Sequence, residues 1–160
     1  MRVYPVILVT LFLLCNCQTA KIDLDHAYKN GKLIASLERT PCYGKCPIYE
    51  IRVYENGIVL YNGKKFTEKE GCYYRRISKR EVKGIQALFV SEGFSDLNNM
   101  YPSDIKSPSD LPSCIVRFYD NNNIAKVVTD KGKDTPEGLK RLEVMLDSLA
   151  SPGKLHSCDK

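Results

Sequence analysis

Residues 40–49 read Thr40-Pro41-Cys42-Tyr43-Gly44-Lys45-Cys46-Pro47-Ile48-Tyr49, and the rest of the chain can be arranged around this stretch. Two cysteines flank a glycine turn, and a proline lies on each outer side of the pair. Strand-like runs precede and follow the turn, at Leu33–Arg39 and at Tyr49–Tyr54, and the second alternates apolar and polar residues. Because Cys42 and Cys46 border one tight turn, we expect a disulfide between them.

Turn and capping signals divide the remaining residues into strands and helices. Asn56-Gly57 predicts a tight hairpin turn, because both residues tolerate a positive φ. Asn62-Gly63 predicts a second turn, followed by a short strand. Ser78, with Glu81 three residues later, forms a capping box that starts a helix. A second helix begins near Pro136, and its apolar stripe consists of Leu139, Leu142, Met145, Leu146 and Leu149.

The order of elements is strands, helix, strand hairpin, helix, which predicts an α+β fold. We expect an antiparallel sheet of about five to six strands with two helices packed on one face. The sequence predicts a single domain at 33–150 and a C-terminal tail at 151–160. The loop at 100–112, rich in Pro, Ser and Asp, is the expected place for a ligand contact.

The N-terminus has the pattern of a lipoprotein signal peptide. After Arg2, an apolar run at 3–14 is too short to span a bilayer and fits a signal-peptide core. Leu14 precedes Cys17 by three residues, so residues 1–16 are predicted to be removed and Cys17 to carry the lipid. Residues 17–32 then form a polar tether. An ordinary secreted protein or an uncleaved anchor are the alternatives.

The cysteines indicate an oxidising compartment after export. Downstream of Cys17, five cysteines allow two bridges and one free thiol, and the sequence leaves the pairing open. We expect Cys72 to pair with Cys114, since each begins a predicted strand, and Cys158 to lie in the tail. A zinc site of Cys42, Cys46, Cys72 and Cys114 is the alternative, although only one pair is close in sequence. No metal or other cofactor is predicted.

Charge and motifs exclude several function classes. The 24 Lys and Arg against 19 Asp and Glu give a net charge of +5 without blocks of one sign, so no nucleic-acid partner is predicted. The densest basic and aromatic patch includes Arg76 and Arg80, which could contact anionic lipid, glycan or an acidic partner, or protect a solvated edge strand. His26 and His156 have no catalytic neighbours in sequence, and no catalytic residue is predicted.

The stretch from Arg39 to Tyr49, followed by Gly57, resembles the signature T-P-C-x-G-x-C-P-x-Y of an uncharacterised domain family. That family occurs mostly in exported proteins and lipoproteins of Bacteroidota-type bacteria. The similarity continues through the helix at Glu81–Phe89, Gly93-Phe94 and Leu111-Pro112, and covers about 33–150. The resemblance implies a single exported domain of unknown function and supplies no catalytic residues.

The sequence therefore predicts a lipid-anchored protein of the cell envelope, on its periplasmic or outer-membrane side. Its expected role is binding or structural and not enzymatic, with the membrane and an unknown protein or glycan as partners. One alternative is a thiol-disulfide redox protein that uses Cys42 and Cys46, although such proteins usually space the pair by two residues at a helix N-terminus. The other alternative is an inhibitor-like module that acts on an exported enzyme.

Overall fold

The computed structural model describes residues 31–103 and 111–158 of the chain. Eight strands and two helices lie in these ranges. The strands are β1 (Leu33–Arg39), β2 (Ile48–Tyr54), β3 (Ile58–Lys65), β4 (Gly71–Arg76), β5 (Met100–Tyr101), β6 (Cys114–Asp120), β7 (Asn123–Asp130) and β8 (His156–Ser157). The helices are α1 (Lys79–Ser91) and α2 (Glu137–Leu149).

All eight strands form one sheet in the order β5-β7-β6-β1-β2-β3-β4-β8. Every neighbouring pair is antiparallel except β5 and β7, which are parallel. The mixed α+β class is as predicted, but the expected count of five to six strands is too low. The two outermost strands, β5 and β8, span two residues each, so no alternation of side chains could reveal them.

Gly57 closes the predicted hairpin between β2 and β3 with a φ of 83°. Its amide donates to the carbonyl of Tyr54 over 3.0 Å. A Cβ at this position would lie 2.4 Å from the carbonyl oxygen of Ile77. The turn therefore needs glycine both for its φ and for the close approach of the chain that leads into α1.

The second predicted turn, at Asn62-Gly63, is wrong, because both residues lie inside β3. A Cβ on Gly63 would lie 1.9 Å from the backbone oxygen of Lys69, in the loop that returns to β4. This glycine therefore permits a close backbone approach and makes no turn. An Asn-Gly pair fits both roles, so the sequence alone does not tell them apart.

Both helices pack on the same face of the sheet, as predicted. The capping box is present in α1: Ser78 Oγ accepts from the amide of Glu81, and the Glu81 carboxylate accepts from the amide of Ser78. The ring of Phe89 in α1 stacks on Phe118 of β6 at 4.9 Å between centroids. The shared core includes Leu37, Ile51, Val53, Val59, Val116, Val128, Val82, Ile85, Phe89, Leu139, Leu142 and Leu146.

The opposite face of the sheet carries polar cross-strand contacts. The carboxylate of Glu38 accepts from Lys64 at 3.2 Å and from Arg117 at 3.1 Å. Arg52 forms two hydrogen bonds with Glu50 on the same strand. Within the ranges that the structure describes, neither helix has the length and apolar character that a membrane span requires.

The second disulfide joins Cys72 to Cys158, with 5.4 Å between their Cα atoms. The predicted Cys72–Cys114 bridge is therefore wrong. Three strands separate β4 from β6, a distance of about 19 Å, and a disulfide needs Cα atoms within about 7 Å. Cys158 follows β8, so the predicted tail is ordered through this residue and pairs with β4.

Candidate functional site

The loop between β1 and β2 is closed by the Cys42–Cys46 disulfide, with 5.8 Å between the Cα atoms. This is the pairing expected from the sequence. The amide of Gly44 donates to the carbonyl of Cys42 over 2.9 Å, which tightens the turn. Tyr43 at the tip is 98% exposed, so the loop presents an aromatic side chain directly to solvent.

Two hydrogen bonds fasten this loop to β6. The amide of Thr40 donates to the carbonyl of Ser113, and the amide of Ser113 donates to Thr40 Oγ1, each over 2.9 Å. In the same ladder Arg39 pairs with Cys114. The start of β6 is thereby fixed beside the disulfide loop, and Cys114, which has a free thiol, lines the same cleft as Cys46.

A cleft of about 310 Å³ lies at this end of the sheet. Its lining comes from the end of β1, the disulfide loop, the start of β6 and the end of β7. The lining residues are Arg39, Thr40, Cys46, Pro47, Pro112, Ser113, Cys114, Asp130, Lys131 and Gly132. We call this end, with the cleft and the loop, the loop end.

Arg39 connects the loop end to α2. Its Nη2 atom donates to Asp147 Oδ2 at 2.6 Å and lies 3.3 Å from Glu143 Oε2. The hydroxyl of Tyr49 donates to the other oxygen of Asp147 at 2.7 Å. Burial, together with the negative charge of Asp147, raises the pKa of Tyr49, so it remains a donor at physiological pH.

Glu143 is the unusual member of this cluster. It is only 7% exposed, and its Oε1 atom accepts no hydrogen bond from the described residues. Burial raises its pKa to about 7, and although the charge of Arg39 opposes this shift, the nearby Asp130 adds to it. The buried Glu143 carboxyl is therefore easier to protonate than an exposed one, because burial penalises the charged form.

Asp130 is held in place by its own loop. One of its oxygens accepts from the amide of Gly132 at 2.8 Å and from the hydroxyl of Thr135 at 2.6 Å. Because Asp130 also lines the cleft, a ligand there would meet an oriented carboxyl group backed by the neighbouring Glu143.

Cys114 is buried, and burial together with the charge of Glu143 raises the pKa of its thiol. A thiol of this kind is a weak nucleophile, because only the thiolate attacks. Cys42 and Cys46 are bonded to each other, so they are not free to act as zinc ligands. Residues 31–103 and 111–158 contain no group of three metal-binding side chains placed around a common point.

The remaining predicted site residues lie elsewhere. Cys17 and His26 are outside the described residues, as is most of the expected contact loop, at 104–110. Arg76 and Arg80 are exposed near the start of α1. β4, predicted as a possible edge strand, is covered by β8 over two residues, and His156 packs there on Tyr74.

Sequence reasoning missed the carboxyl groups of α2. Glu143 lies four residues after Leu139 and three before Leu146, which places it within the apolar stripe that packs on the sheet. A carboxyl group at such a position must be paired or neutral. A glutamate within an apolar helix stripe is therefore the one sequence signal that could have identified Glu143. No local pattern connected it with Arg39 or Asp130, which are far away in the sequence.

Fold and site together define a small disulfide-bonded α+β domain with a buried polar cluster beneath an exposed loop. Residues 34–150 match the model of a family described as a domain of unknown function, DUF6438. Since the match covers more than half of the chain, the protein belongs to this family. The comparison with curated proteins finds no match.

Proposed function

We propose that this protein is a lipid-anchored, non-catalytic binding domain of the bacterial cell envelope, and that it binds a partner protein through its loop end. Cys17 carries the lipid, and the domain belongs to a Bacteroidota-type lineage. The observation that carries the binding role is the fully exposed Tyr43 on a disulfide-closed loop beside the polar cleft.

A constrained aromatic residue is well suited to recognition. Tyrosine is enriched among the residues that dominate binding energy, because it buries a large area and loses few rotamers. The disulfide and the two Thr40–Ser113 hydrogen bonds order the loop before binding, so less conformational entropy is lost on association.

The family signature supports the same assignment. In T-P-C-x-G-x-C-P-x-Y, the specified positions include Thr40 and Tyr49, which bond to β6 and α2. The unspecified positions include Tyr43 and Lys45, whose side chains are exposed. The signature that the sequence resembles therefore fits a loop that is held by Thr40 and Tyr49 and exposes Tyr43 and Lys45.

Site-specific photocrosslinking in the producing bacterium tests this role. A photoreactive phenylalanine analogue at position 43 should give one discrete adduct, and the same analogue at Val144, which is 69% exposed on α2, should not. The unsubstituted protein co-expressed in excess should compete the adduct away, and Cys42→Ser with Cys46→Ser should weaken it. Equal adducts at both positions, or none at 43, would refute the loop assignment.

The lipid anchor has a separate test. The N-terminal peptide of protein taken from the native envelope should begin at Cys17 and carry the mass of acyl chains. An unmodified Cys17, or a mature chain that begins elsewhere, contradicts the anchor and leaves the loop result unaffected.

A thiol-disulfide redox role is the second candidate, because the Cys114 thiol lines the same cleft as Cys46. In that reaction the Cys114 thiolate attacks Sγ of Cys46, the Cys42–Cys46 bond breaks, and Cys42 leaves as a thiolate that takes up the proton. The raised pKa of Cys114 opposes this step. Selective trapping of a mixed disulfide at Cys42 or Cys46 in the envelope favours the redox role over binding. An exported enzyme as the crosslinked partner of Tyr43 would identify the domain as an inhibitor-like module.

A further inference from the structure

A group of exposed cations lies at the end of the sheet opposite the loop end. We call this group the basic surface. Its members are Lys32, Arg76, Lys79, Arg80, Lys83 and Lys154, all exposed. The carboxylates at the same end are Glu55, Glu81 and Asp120, so six cations accompany three acids.

Two clefts show how the basic surface is assembled. One, of about 510 Å³, is lined by Lys32, Lys79 and Lys83 together with Glu55. The other, of about 460 Å³, is lined by Arg76 and by Lys154 from the C-terminal segment. The first turn of α1 connects the clefts, because Lys79 begins the helix three residues after Arg76.

The cations of this surface are largely not neutralised. Glu81 is engaged by the Ser78 cap and lies 3.9 Å from Arg75. In the part of the chain that the structure describes, the side chains of Arg76, Lys79 and Lys83 form no ion pair. The net positive charge is therefore available to a large anionic partner.

The position of the basic surface identifies that partner. β1 begins at Leu33, directly after Lys32, and the backbone of Lys32 accepts from the amide of Glu55 over 2.8 Å. The chain outside the structure therefore joins the domain at the basic surface. Residues 18–31 reach at most about 50 Å when fully extended, so a lipid on Cys17 would hold this end within that distance of the bilayer.

We propose that the basic surface docks on anionic phospholipid headgroups of the membrane that holds the anchor. The inference rests on the proposed function for the position of the tether. The surface then faces the bilayer, and the loop end, about 20 Å away along β1, faces outward. Each Lys or Arg close to an anionic leaflet raises binding about fivefold, and the attraction weakens as salt screens it.

Vesicle partitioning of the full-length chain with Cys17→Ser tests this docking without a lipid on the protein. Vesicles of phosphatidylcholine alone are compared with vesicles that contain phosphatidylglycerol as well, because the apolar N-terminus contributes equally to both. The ratio of the two partition coefficients reports the electrostatic contribution. This ratio should fall at least about 25-fold in Lys79→Glu with Arg80→Glu.

The variant has a matched control. Glutamates in the first turn of α1 favour the helix dipole, so the doubly substituted domain should remain folded, which circular dichroism checks. Lys45→Glu with Lys133→Glu changes the charge equally at the loop end and should leave the ratio within about twofold of the parent chain.

The docking proposal is overturned if the parent chain does not prefer anionic vesicles. It is also overturned if the control variant loses as much binding as the test variant. Either result leaves the acylation and crosslinking tests of the proposed function intact, because this experiment uses neither the lipid nor the loop.

Discussion

Glu143→Gln should remove a pH dependence of stability that originates in one buried carboxyl group. The folded domain raises the pKa of Glu143 from 4.5 to about 7, through burial first and then through Asp130, against the attraction of Arg39. The folded state therefore holds a proton that the unfolded state releases between these two values. Stability falls as the pH rises through this window, because the native state binds more protons there.

The size of this effect follows from the shift. A change of one in pKa corresponds to 1.36 kcal/mol, so the rise from 4.5 to about 7 destabilises the fold by about 3 kcal/mol once Glu143 is fully ionised. The Glu143 side chain keeps 9% exposure, and relaxation and water penetration weaken the effect of burial, so the expected value is about 2 kcal/mol. This loss of folding free energy is absent well below pH 4.5, where Glu143 is neutral, and complete well above pH 7, where it is ionised.

Urea denaturation of the oxidised protein at pH 5, 6, 7 and 8 measures it. The free energy of unfolding of Glu143→Gln minus that of the parent should increase by about 2 kcal/mol from pH 5 to pH 8. Other titrating groups cancel in this difference. Glu68→Gln, at an exposed position, serves as the control and should show no such trend. A difference for Glu143→Gln that stays flat, or falls with pH, would refute a neutral Glu143.

Three further outcomes follow from the structure. Gly63→Ala should destabilise the domain by more than about 2 kcal/mol, because the new Cβ would meet a carbonyl oxygen. Gly84→Ala, in open space within α1, should instead stabilise the domain by about 0.5–1 kcal/mol. Urea denaturation measures both changes, and equal effects of the two variants contradict the packing around Gly63. Cys72→Ser with Cys158→Ser should lower the free energy of unfolding by about 4 kcal/mol, because the bridge closes a long loop. A loss below about 1 kcal/mol in urea denaturation argues against the bond. Cys114 should resist alkylation at pH 8 in the native state and react after unfolding, as mass spectrometry can follow; rapid native labelling contradicts its burial.

The sequence predicted the features that depend on neighbours in the chain. Asn56-Gly57 and the Ser78 capping box each combine two or more local signals, and both occur in the structure. Gly93, a residue type common at helix ends, adopts a φ of 61° shortly after α1. These features were predictable because a few residues alone determine their energy.

Features that depend on distant residues were beyond local patterns. The partner of Cys72 is decided by the strand order, which brings β8 and not β6 beside β4. The polar cluster joins Arg39, Asp130 and Glu143 from β1, β7 and α2. Arg39 and Asp130 alone resemble ordinary surface charges, and only the assembled sheet brings them to Glu143.

β1 connects the two ends to which the proposed functions are assigned. It lies inside the sheet, bonded to β2 on one side and β6 on the other, and its residues Ala35 and Leu37 are completely buried. A strand held in this way is rigid, so the basic surface and the disulfide loop keep a fixed position relative to each other. Under the docking proposal, Tyr43 would lie at least about 20 Å beyond the headgroups. A partner that reaches it would then project from the aqueous side of the envelope and not be confined to the bilayer.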